Sequence, residues 1–135
     1  MNRPDQEIRT HAAMNRRFSG TPVALADGEA RLELELVEEM RADAHGLVHG
    51  GFLFSLADHA AMLAVNHPNV VLGSAEVKFL SPAVVGDTVV ATARLDRVEG
   101  KKQIVAVDVR RGGTVVFEGE FVCFSPPRHV LARDA

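Results

Sequence analysis

Residues 46–66 read GLVHGGFLFSLADHAAMLAVN. Two adjacent glycines follow His49, and a nearly unbroken apolar run then carries one carboxylate, Asp58, with His59 beside it. Apolar side chains fall on every side of a helix drawn from about His49 to Asn66, so this helix is expected to be buried all round, with Pro68 ending it. Ser55, Asp58, His59 and Asn66 interrupt the run and make it a poor membrane span. The question it poses is why an aspartate stands where the chain otherwise reads as core.

The flanking sequence reads mostly as strands. Upstream, PVALADGEARLELEL (22–36) has Asp27-Gly28 as a two-residue turn signal. Leu32, Leu34 and Leu36 alternate with Glu33 and Glu35, which predicts a hairpin with one buried and one solvated face. Residues 38–47 read as a polar loop. Before the hairpin, residues 5–18 carry a helical pattern in which Ile8, Ala12 and Phe18 share a side, stopped by Gly20 and Pro22. Downstream, four segments (70–80, 87–100, 102–111 and 114–124) set apolar against polar positions. Gly86-Asp87, Gly100-Lys101 and Gly112-Gly113 separate them, and the chain leaves the last at Pro126-Pro127. A short helix, two strands, one long apolar helix and four strands predict an α+β fold: a curved antiparallel sheet wrapped around a long central helix. The strand–helix alternation of a doubly wound parallel sheet is missing.

Composition bounds the function. The chain has 135 residues, which predicts a single domain over 1–135 with its core at about 20–125. The net charge is −3 and the 15 Lys and Arg are scattered, which argues against a nucleic-acid partner. A single cysteine, a polar N-terminus without an apolar signal core and no membrane-spanning run predict a cytoplasmic protein with neither membrane nor nucleic acid as partner. Cys123 ends an apolar strand and reads as packed core rather than nucleophile. His45, His49, Asp58 and His59 lack the spacing of a metal site, since Gly46 breaks the helix between the first two.

Two chemistries fit the helix. The first amide N–H groups of a helix have no partner within it, glycine lets a ligand approach them, and the dipole favours negative charge there. Gly50 and Gly51 would then hold a carbonyl oxygen as it becomes an oxyanion. They would equally allow tight packing at the corner. Asp58 lies eight residues beyond Gly50, roughly 12 Å along the axis. An aspartate of the same helix is too short to act on a carbonyl held at Gly50. Acting together requires a second copy of the helix across a two-fold axis, with two equivalent sites. The other reading pairs Asp58 with His59 of a second copy, or with a backbone group, at the same seam. Asp58 and His59 cannot serve together as a hydratase pair, because neighbours on a helix point about 100° apart.

Residues 48–66, VHGGFLFSLADHAAMLAVN, resemble the central helix of the hotdog-fold acyl-CoA thioesterases, in particular the PaaI-like group. KFLSPAVVGDTVVATARL (78–95) resembles the strand, proline turn and Gly-Asp turn that follow it. The similarity runs over about Gly20 to Phe124. It implies a hotdog fold, a homodimer with two shared sites, often a homotetramer, and hydrolysis of acyl-CoA to free acid and CoA without a cofactor, coenzyme A being part of the substrate. Carried over by position, Gly50, with Gly51 beside it, supplies the oxyanion N–H, and Asp58 of the partner subunit acts as nucleophile or general base. His49 orients the loop or the thioester. The asparagine common in the family six residues earlier is Asp43 here. A serine that some relatives use matches Leu72, with Ser74 two residues on and expected on the same strand face. Such chemistry needs one aligned carboxylate or water and one oxyanion donor, because a thiolate leaves readily. The acyl chain is expected near Phe52, Phe54, Leu56, Met62 or Phe79. Among Arg94, Arg97, Lys101, Lys102, Arg110 and Arg111, the CoA phosphates are expected at Arg97, Lys101 and Lys102, against ordinary solvated strand edges as the other reading. A non-catalytic acyl-CoA-binding protein is the alternative. As a ligand-sensing regulator it would need a DNA-binding segment, for which the 20 residues before the hairpin are too short.

Overall fold

A computed structural model describes residues 7–132. The elements in chain order are α1 (Arg16–Ser19), β1 (Thr21–Ala26), β2 (Glu29–Glu35), a 3-10 turn (Glu38–Met40), α2 (Gly50–Val65), β3 (Val71–Phe79), β4 (Thr88–Glu99), β5 (Lys102–Arg111) and β6 (Thr114–Phe124). Three two-residue turns make the hairpins, pairing Ala26 with Glu29, Glu99 with Lys102 and Arg111 with Thr114. Gly100 and Gly112 open the last two at φ 61° and 57°, the left-handed conformation that a type II′ turn requires at its first central residue.

All pairings are antiparallel, and the six strands run in the order β1-β2-β4-β5-β6-β3. The sheet curves around α2 without closing, the hotdog architecture that the sequence implied. Burial alternates along β2 and β4, so the leucines and alanines of one face meet α2 while the charged residues face out. Leu53, Leu56, Ala57, Ala60, Ala61 and Leu63 of α2 are buried. Alanines let the helix settle close to the sheet, and each fully buried leucine contributes about 1.5–3 kcal/mol. His49 caps α2 at its start, and Asn66, in the left-handed region at φ 52°, ends it.

Two expectations are corrected. Of the helix drawn over 5–18, only Arg16–Ser19 is helical, and residues 5 and 6 lie outside the described residues. The backbone of this segment is instead held by the Asn66 side chain, which accepts from Arg9 N–H at 2.9 Å and donates to Glu7 O at 2.8 Å. Leu72 and Ser74 do not share a face. Leu72 pairs with Cys123 but Ser74 pairs with Val122, so Gly73 is an extra residue that reverses the alternation and sends Ser74 to the outer face.

Candidate active site at the start of the central helix

The chain enters α2 through a loop shaped by Asp43. Its Oδ1 accepts from His45 N–H at 2.9 Å and from Leu47 N–H at 3.2 Å. One oxygen of its carboxylate thus holds the loop that delivers His49. The imidazole Nδ1 of His49 accepts the Gly51 N–H at 2.9 Å, which fixes Nδ1 as the unprotonated nitrogen. Phe52 N–H bonds the His49 carbonyl at 3.1 Å. Gly50 N–H has no acceptor among the described residues. Of the two glycines, Gly50 therefore offers the free donor at the positive end of the helix.

Phe79, at the end of β3, closes one side of this site. The residue is 56% exposed, and its ring stands edge-on to Phe117, with centroids 5.1 Å apart. A Cβ on Gly50 would come within 2.8 Å of Phe79 Cε2, so only glycine lets the ring lie against the helix start. Together with Leu47, Leu53 and residues 80–83 they border a cleft of about 300 Å³.

Asp58 lies two turns further along α2. Its Oδ1 is buried and has no hydrogen-bond partner among the described residues. Burial pushes its carboxyl up to about 6. Across from it, Cys123 is fully buried, and burial together with the Asp58 charge pushes the thiol up to about 12, so it stays protonated core as expected. His59 turns away. Its Nδ1 donates to Ser19 O at 2.9 Å, and a 2.7 Å bond joins the Ser19 and Ser55 hydroxyls, which docks α1 onto α2. Burial lowers the His59 pKa and keeps the ring neutral.

The other candidates divide. Phe54 packs on Phe121 and Phe117, at 5.5 and 6.4 Å between centroids, toward the same flank as Phe79. Phe52 lies against Phe18 of α1, at 6.1 Å. Met62 is enclosed in the core at 1% exposure and does not line the open cleft. Ser74 is exposed on the outer face. Arg97 is held by Glu99 at 2.6 Å, Asp96 at 2.8 Å and Glu120 at 3.2 Å, and Arg94, Arg110 and Arg111 have carboxylate partners too. Lys101 and Lys102 have no ion pair among the described residues, nor do three or more His, Cys, Asp or Glu among them gather as a metal site. Sequence reading missed Ala75 and Val77. They pair with Phe121 and Gly119 and share the concave face with Phe79, Ala75 lying exposed there. Their period-two spacing with Phe79 was the available signal.

A family model described as the thioesterase superfamily matches residues 45–118. Over 115 residues, 85% of this chain, the sequence is 55% identical to a protein of Aquifex aeolicus named methylthioribose-1-phosphate isomerase, of which it spans only 25%. It is 32% identical over 104 residues to the acyl-coenzyme A thioesterase PaaI of Escherichia coli, covering 73% of each. The crystal structure of an uncharacterized protein from Pyrococcus horikoshii superposes with a TM-score of 0.92 at 52% identity, over 94% of this chain and 98% of that one. A hotdog sheet around a glycine-started helix, matched by this family model and this PaaI relative, places the chain in the thioesterase superfamily.

Proposed function

We propose that this chain hydrolyses acyl-CoA thioesters to free acid and CoA, as a homodimer with two shared sites that assembles further into a homotetramer. The Asp58 carboxylate carries this reading: it is half-buried and raised in pKa, with Oδ1 enclosed and unpartnered among the described residues, on the helix whose first amide is free. The thioester carbonyl oxygen sits at Gly50 N–H, and Asp58 of the partner subunit attacks it directly or activates a water. Negative charge developing on the oxygen is met by the amide and the helix dipole, and the thiolate leaves without an acid. His49 keeps Gly51 N–H occupied and holds the helix start in place. Phe79 and Phe54 guide the acyl group, while Lys102, rather than the ion-paired Arg97, is the cation left to meet phosphate. No cofactor takes part. Support for the dimer comes from β3, an edge strand with one partner, and from the exposed apolar residues of its concave face.

Thiol release from a panel of acyl-CoAs, run beside Asp58→Asn at matched oligomeric state, tests the reading. Turnover reduced by about 100-fold or more in the variant supports it. Bound acyl-CoA with no release from any substrate would instead favour a non-catalytic binding protein.

A further inference from the structure

A second cleft lies where the β4–β5 turn meets the C-terminal segment. It encloses about 540 Å³ and is mostly apolar, with Val98, Phe124, Pro126 and Val130 in its walls and Lys101 and Gln103 among its polar groups. Val98 and Val130 are 61% and 57% exposed, large values for branched apolar residues. Val98 pairs with Gln103, and Gln103 with Cys123, so the cleft continues the concave row that faces Asp58.

Its free side-chain donors are the Lys101 ammonium and the Gln103 amide. The Lys101 ammonium has no ion pair among the described residues, although Arg17, Arg41, Arg94, Arg97, Arg110 and Arg111 each have one. Gln103 Oε1 accepts from the Ser125 hydroxyl at 2.6 Å, which leaves its amide N–H groups without an acceptor among the described residues. No Asp or Glu lines the cleft, and Glu99 on the same hairpin is engaged by Arg97. Residues 1–6 and 133–135, MNRPDQ and RDA, carry little apolar surface with which to fill it.

Apolar walls with a donor rim suit an anion that carries an aliphatic chain. We propose that this cleft binds a medium-chain fatty carboxylate, with the chain against Val98 and Val130 and the head group at Lys101 and Gln103. The site is separate from Gly50 and its occupancy is read without turnover, so it stands or falls apart from the hydrolysis reading.

Amide NMR titration of the full chain with sodium octanoate tests it, beside 1-octanol and inorganic phosphate. The proposal expects saturable shifts at Gly100, Lys101 and Gln103. Lys101→Glu and Val98→Glu, both at exposed positions, should each weaken octanoate by about tenfold or more, and 1-octanol should bind weaker by a similar factor. Phosphate alone should move none of these amides. Equal octanoate affinity in Lys101→Glu, shifts confined to Gly50 and Phe79, the same shifts with phosphate, or no saturation would overturn it. So would shifts that follow protein concentration without ligand, because a second copy would then fill the cleft.

Discussion

Burial raises the Asp58 carboxyl to about 6, and the consequences for stability and for activity have opposite signs. The folded chain holds this proton more tightly than the unfolded chain does. The group therefore adds stability below about pH 4, and that contribution is lost as pH rises through about 6, amounting to about 3 kcal/mol at most. Asp58→Asn, neutral at every pH, should match the parent in urea unfolding near pH 4 and exceed it at pH 7. A stability difference that stays constant across that range would contradict the account. Activity runs the other way, since the reaction needs the ionised carboxylate. The kcat/KM profile should fall about tenfold per pH unit below about pH 6. A profile flat down to pH 5 would remove Asp58 as nucleophile or base.

The central helix is held at its two ends by side chains that the sequence displays openly. Replacing His49 by Ala removes the acceptor of Gly51 N–H and should cost about 0.5–2 kcal/mol in thermal or urea unfolding. Asn66→Ala loses both a left-handed terminus and the two bonds that tie down residues 7–9, and should cost more than Asn66→Gly, which keeps the backbone freedom. The bounds of α2 were legible to within a residue because its apolar run begins at a capping residue and ends at one. The four downstream strands were legible for a similar reason, glycine turns framing period-two patterns. Residues 5–18 misled because three apolar positions cannot outweigh hydrogen bonds made by a distant asparagine. The bulge at Gly73 went unread although a glycine inside a strand pattern is its usual sign, and it moves Ser74 across the sheet. The arginine partners were equally hidden, since Arg97 meets Glu120 only through the pairing of strands distant in sequence.

At the scale of the molecule, β3 decides what the protein becomes. Among the described residues it pairs only with β6, and Ala75, Val77 and Phe79 leave its concave face partly open beside Gly50. A lysine in place of Ala75 should yield a folded monomer by light scattering and circular dichroism, with thioesterase activity reduced by about 100-fold or more, because each site then lacks its carboxylate. An active monomer would refute the shared site.

Mixing inactive variants tests that site most directly. Gly50→Pro deletes the free N–H at a helix position that tolerates proline, and His49 already has the extended ψ of 132° that a following proline favours. Gly50→Ala keeps the N–H and controls for the contact with Phe79. Gly50→Pro and Asp58→Asn proteins, each inactive alone, are unfolded together, refolded and assayed for thiol release. If Gly50 of one subunit works with Asp58 of the other, half the dimers are mixed and each regains one site, restoring about a quarter of the activity of the unmodified protein. A mixture as inactive as its components, with mixed dimers present, would contradict a site built from two chains.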